Sequence, residues 1–212
     1  MSHTHLAPDA GTRPDLSVVV VSGNPRAGSR TLSAATAVGE QIAALLDGRL
    51  DGPSSTQATS IETIDLATFA PEILTADHPA ADAATATLAA ATVAVIASPV
   101  YKASYTGLLK AFLDLYGPDG LAGVVAVPLV VSGNPAHALA GEVHLRPVLV
   151  ELGAIVPTRA LSLTESQLAD LDAPVAAWLA KSARALRRAV GLPDDAGTAP
   201  LPASADLVGV TA

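Results

Sequence analysis

Two segments of this chain, 17–21 (SVVVV) and 92–97 (TVAVIA), are apolar at almost every position, and 123–131 (GVVAVPLVV) is a third. Successive side chains of a strand point to opposite faces of its sheet, so a run without alternation must be buried on both sides. Parallel sheets covered by helices are where such strands occur. The intervening segments have helical spacing. Residues 29–46 repeat apolar side chains at Leu32, Ala35, Val38, Ile42 and Leu45, with Ser29 or Thr31 available as N-cap. Residues 80–91 are Ala-rich, and 104–116 align Leu108, Leu109, Phe112, Leu115 and Tyr116 on one face; both read as helices, as does 173–190. Strands are further expected at 61–66, which alternates, and at 154–163, with a small-residue loop at 52–60. Two prolines mark irregularity. Pro128 inside the fourth strand argues for an edge position or a bulge, and Pro147 must kink or restart the helical period of 137–152.

These elements make five βα units, an α/β domain expected over 16–191. The polar, Pro- and Gly-containing ends, 1–15 and 192–212, are expected to be disordered tails. A chain of 212 residues suits one such domain and buries roughly 70% of its unfolded surface. With 3% aromatic residues, its core must be built from Ala, Val and Leu. There is no cysteine, hence no disulfide, thiolate metal site or cysteine nucleophile. No metal site is expected, since His3 and His5 fall in the polar start of the chain. A net charge of −8 argues against a nucleic-acid binder that relies on phosphate attraction. No apolar run reaches the ~18 residues of a membrane span, and the start lacks the apolar stretch of a signal peptide, so the cytoplasm is expected.

Sheets of this class bind ligands beyond the C-terminal ends of their strands. The segment Val-Val-Ser-Gly-Asn-Pro ends the first strand at 20–25 and recurs unchanged at 130–135, ending the fourth. After the first copy comes Arg26-Ala-Gly-Ser29-Arg30-Thr31, where loop amides, a helix N-terminus, three hydroxyls counting Ser22 and two guanidinium groups all favour an anion. Gly23 and Gly28 have P-loop spacing, yet Ser29-Arg30 stands where that motif requires Lys-Ser/Thr, and no G-x-G-x-x-G dinucleotide fingerprint is present. A monophosphate mononucleotide is therefore favoured. A second loop, 98–107 (SPVYKASYTG), ends the third strand with exposed aromatics and no acid–base pair. In the third, Gly133 permits close backbone approach to a flat ligand.

The stretches SGNPRAGSRT, SPVYKASYTGLLKAFLDL and SGNPAHALAGEVHLRPVLVELGA closely resemble the NADPH-dependent FMN reductases, from about Val18 to Leu168. Within that family the resemblance is to the group that supplies reduced flavin to two-component monooxygenases such as those acting on alkanesulfonates. It implies a flavodoxin-like three-layer sandwich with a five-stranded parallel sheet in the order 2-1-3-4-5. By match of motif, Ser22, Arg26, Ser29, Arg30 and Thr31 would hold the FMN phosphate, with Pro25 in the same loop. Pro99, Val100, Tyr101 and Lys102 would line the flavin, with Ser104 and Tyr105 nearby and Ser132 and Gly133 approaching the ring from the fourth strand.

The reaction so implied passes hydride from NADPH or NADH to FMN and needs no side-chain acid or base, so no catalytic residue is expected. A homodimer or homotetramer and a transient monooxygenase partner are also implied. A quinone or azo reductase that holds FMN, and a flavodoxin-type electron carrier, are the other readings the site allows. Some members insert a Tyr in the helix after the fourth strand, linked to a π-helical turn and tetramer contacts. Here Val143 stands in that place, with His144 next.

Overall fold

A computed structural model describes residues 15–48 and 58–193. The expected tails at 1–15 and 192–212 lie outside the described residues except for Asp15, Leu192 and Pro193, as does the expected 52–60 loop up to residue 57. Five strands, β1 (Ser17–Ser22), β2 (Ser60–Asp65), β3 (Val93–Pro99), β4 (Val125–Ser132) and β5 (Leu161–Thr164), form one sheet in the order β2-β1-β3-β4-β5. Every pairing is parallel, as the both-faces-buried runs require. Helices α1 (Arg30–Leu46), α2 (Pro79–Ala89), α3 (Gly107–Leu113), α4 (Arg146–Glu151) and α5 (Asp172–Ala189) cover it. This is the flavodoxin-like three-layer sandwich.

The sheet divides the core by residue parity. Val18 and Val20 of β1, with Val93, Val95 and Ala97 of β3, pack on Val38, Ile42 and Leu46 of α1 and Leu179 and Leu186 of α5. Val19 and Val21, with Ala94 and Ile96, pack on Leu88 of α2, Leu109 and Phe112 of α3 and Leu149 of α4. Each fully buried Val or Leu contributes about 1.5–3 kcal/mol, and the small side chains let the helices lie close.

Pro128 is neither at an edge nor in an edge strand: β4 lies between β3 and β5, with Pro128 opposite Ile96. The β4–β5 ladder explains it. Ala126 N donates to Ile155 O at 2.8 Å, and regular pairing resumes only at Leu129–Leu161. Two residues beyond Ala126, the nitrogen of Pro128 faces the same side, into the break, where no donor is called for.

That break also shortens the expected strand at 154–163 to β5. The backbone there bonds to side chains instead of to β4. Arg146 donates to Val156 O at 2.8 Å and to Thr158 O, while Glu142 Oε1 accepts from Ala160 N at 2.6 Å. The helical period of 137–152 restarts rather than kinks: a π-helical turn, Gly141–Leu145, leads into α4, whose first turn holds Pro147. The helix expected at 104–116 starts later, because Thr106 caps it by accepting from Leu109 N at 3.2 Å, and it ends at Leu113 with Asp114 as C-cap.

Candidate functional site

The loop from β1 to α1 is shaped by one asparagine. Asn24 Oδ1 accepts from Arg26 N at 3.0 Å, closing a turn, and Asn24 Nδ2 donates to Thr31 Oγ1 at 3.1 Å, tying that turn to the first turn of α1. Ser29, rather than Thr31, is the N-cap, accepting from Leu32 N at 3.2 Å. The amides of Arg30 and Thr31 open the helix and lack intrahelical partners, and the helix dipole adds partial positive charge there. Gly28 sits at φ +61°, a conformation that strains an L side chain. Gly23 is needed for another reason: a Cβ there would lie 2.6 Å from Leu109 Cβ. That close approach lets Gly23 N donate to Ala97 O at 2.8 Å and Gly23 O accept from Thr106 Oγ1 at 2.6 Å, locking the first loop to the second.

The second loop begins with a tight hairpin. Tyr101 N donates to Ser104 O at 2.8 Å, Ser104 N returns to Tyr101 O at 3.1 Å, and Lys102 and Ala103 between them have φ of 51° and 64°. Such turns normally carry Asn or Gly at these positions, so each residue stores about 1–2 kcal/mol of strain. Backbone strain of this kind concentrates where a ligand is clamped. Tyr101, at the base of the turn, is 45% exposed. Burial pushes the Tyr105 phenol above its ordinary value, Asp114 adding to the effect and Lys110 opposing it, so the hydroxyl stays protonated.

The two copies of Ser-Gly-Asn-Pro fold alike. Asn134 Oδ1 accepts from Ala136 N at 2.9 Å, the same turn that Asn24 makes, but Asn134 is exposed and its turn continues into a short 3-10 segment, Pro135–His137.

A cleft of about 330 Å³ opens at the C-terminal edge of the sheet. Of the expected residues it brings together Arg26, Ser29, Arg30, Thr31, Pro99 and Tyr101. Ser22, Pro25, Val100, Lys102, Ser104, Tyr105, Ser132 and Gly133 stand outside its lining, with Ser22 and Ser132 buried at strand ends and Gly133 open to solvent. Val131, just before the second turn, does reach the cleft. Sequence reasoning passed over Asn24, Leu168 and Glu165. Asn24 could have been found from its place two residues before Arg26 in an Asn-Pro turn. Glu165 could have been found only from its position as the first residue beyond β5.

Two carboxylates already occupy donors of this basic loop. Asp65, at the end of β2, accepts from Gly28 N at 2.9 Å, and Glu165 Oε2 accepts from Arg30 Nη2 at 2.8 Å. The loop therefore engages anionic oxygens through a backbone amide and a guanidinium.

A family model described as NADPH-dependent FMN reductase matches residues 16–167, well over half of the chain. The chain belongs to that family. This FMN reductase is 34% identical over 156 residues to the FMN reductase (NADPH) of Escherichia coli strain K12, spanning 72% of this chain and 75% of the relative. It is 35% identical over 133 residues to the NADH-dependent FMN reductase SfnF of Pseudomonas putida, covering 62% and 68% of the two chains. Among solved structures it is similar to the apo form of the NADH:FMN oxidoreductase EMOB, with a TM-score of 0.64 and 31% identity over 82% of this chain and 88% of that one. An oxidoreductase from Corynebacterium diphtheriae gives a TM-score of 0.69 at 28% identity, covering 83% and 97%. The reductase is an oxidoreductase of FMN and a reduced nicotinamide. Among the described residues, no helix is long and apolar enough to cross a membrane.

Proposed function

We propose that the cleft binds FMN as a passing substrate, its phosphate on the β1–α1 loop, and that the reduced flavin is handed to a partner monooxygenase. The observation that carries the phosphate site is the convergence of Arg26, Arg30, Ser29, Thr31 and the opening amides of α1 on one cleft of a chain with net charge −8. That donor set fits a phosphate monoester. Asn24 holds the loop in shape, and Thr31, which accepts from Asn24, keeps its own proton to donate. Ser22 supports the turn from the strand end, with Asn24 N 3.5 Å from its hydroxyl, and Pro25 follows in the exposed turn.

Bound flavin supplies a ring that accepts two electrons from a reduced nicotinamide. For that step the chain contributes orientation. Pro99, Val100, Tyr101 and Lys102 would line the ring, with Ser104 and Tyr105 behind the strained hairpin and Ser132 and Gly133 approaching from β4. Backbone amides at the sheet edge would stabilise negative charge as it develops. Purified protein is expected to carry little flavin and to oxidise NADPH or NADH only when FMN is added, followed by nicotinamide absorbance. Stoichiometric yellow flavin that survives dialysis, with turnover independent of added FMN, would overturn the passing-substrate reading.

The supply role rests on the resemblance to reductases that serve two-component monooxygenases, and a cytoplasmic place suits an enzyme that uses reduced nicotinamide. We further propose a homo-oligomer that uses the π-turn region of the domain at 16–191. Leu139 is 64% exposed, Val143 58% and Val150 55%, an apolar surface left on α4 and the turn before it. Val143→Arg is expected to lower the mass found by light scattering to that of a smaller assembly. An unchanged mass would place the contact elsewhere.

A further inference from the structure

We infer that Glu165 sets how tightly the loop holds a flavin phosphate, by competing for Arg30. The inference rests on the phosphate assignment proposed above. Glu165 follows β5 directly, and its backbone is fixed there by a capping box in which Thr164 N donates to Gln167 Oε1 at 2.8 Å. That backbone carries Glu165 to the rim of the cleft, and both side chains line it. The two make a contact of 2.8 Å with side chains 70% and 55% exposed.

An exposed pair of this kind is weak and reversible, so a phosphate can take its place. The replacement still costs the pair. A carboxylate accepting from one guanidinium arm occupies the donor that a phosphate oxygen would use, and it does so only while the phosphate is absent. Asp65 is different, because its second oxygen accepts from Ala67 N at 3.3 Å and so builds the end of β2. Glu165 thus biases the loop against retention: phosphorylated flavin binds less tightly than the donor set alone allows, and it leaves faster. Unphosphorylated flavin does not meet this competition.

The test measures dissociation constants of the full chain for FMN and for riboflavin by flavin fluorescence, in Glu165→Gln, Arg30→Ala and the double variant. Because an exposed pair is worth up to about a factor of five, E165Q is expected to tighten FMN about four-fold and to leave riboflavin within two-fold. In the Arg30→Ala background the E165Q gain should fall below two-fold. A gain of equal size for both flavins, no gain, or a gain that persists without Arg30 would each overturn the inference. If the unaltered chain binds FMN no better than riboflavin and Arg30→Ala changes neither, the phosphate assignment itself fails, a result separable from the others. Thermal melting of each variant reports folding, which two exposed substitutions should leave unchanged.

Discussion

Replacing Arg26 and Arg30 together by alanine is expected to raise the FMN dissociation constant about 100-fold and to leave riboflavin within about three-fold. A hydrogen bond to a charged group is worth about 1.5–3 kcal/mol. Two of them on an exposed loop, at the lower end of that range, give about 3 kcal/mol, or about 100-fold. Both guanidinium groups line the cleft and both are exposed, so the loss should appear in binding and hardly at all in stability. Arg26→Ala alone should carry more than half of the effect, because removing Arg30 also relieves the loop of its contact with Glu165. Fluorescence titration with the two flavins decides it, since equal weakening of both would mean that the arginines shape the loop rather than bind a phosphate. Steady-state turnover should follow, with the KM for FMN rising and kcat changing less, as expected when binding is lost without loss of chemistry.

Sequence parity carried most of the fold. The runs 17–21 and 92–97 have apolar residues at both parities, so a two-sided parallel sheet followed from pleat geometry alone. The structure then sorts Val18 and Val20 from Val19 and Val21 onto opposite faces. The basic loop was legible because its donors are consecutive. What was not legible depends on bonds between distant residues. Pro128 signals a missing donor, but only the break between Ile155 and Leu161 shows why an interior strand tolerates it. Ser29 and Thr31 are equivalent caps by sequence, and Asn24, seven residues before Thr31, decides between them by engaging the threonine. Glu165 offers only its place just beyond β5 as a sign, because its partner lies 135 positions away. The exposed Val143 does not hold the π-turn, which rests on Glu142 and Gly141 against the approach to β5. A Cβ on Gly141 would lie 2.7 Å from Ala160 Cβ.

The same connection makes Arg146 a polar residue whose loss should cost the fold heavily. Arg146→Ala is expected to lower unfolding free energy by about 3 kcal/mol, because it strips several half-buried bonds at once. Arg146 Nε donates to Glu142 Oε2 at 2.6 Å and its Nη atoms reach Glu142 Oε1 and the carbonyls of Val156 and Thr158. Without it, those carbonyls and the Glu142 carboxylate are left short of partners in the segment that replaces the first part of β5. The Arg146 guanidinium holds the Glu142 carboxyl below its ordinary value, burial opposes this, and the Ala160 amide adds to the lowering. A carboxyl whose pKa is lower in the folded state adds stability that is full above its unfolded pKa of about 4.3 and fades as pH falls through the folded value. Urea unfolding should therefore show the unaltered chain losing stability on acidification below about pH 5. The Arg146→Ala chain should start lower and lose less across the same window. Parallel pH curves for the two chains would show that the Arg146–Glu142 pair does not hold the π-turn against the β5 approach, and that the cost of the substitution lies in packing alone.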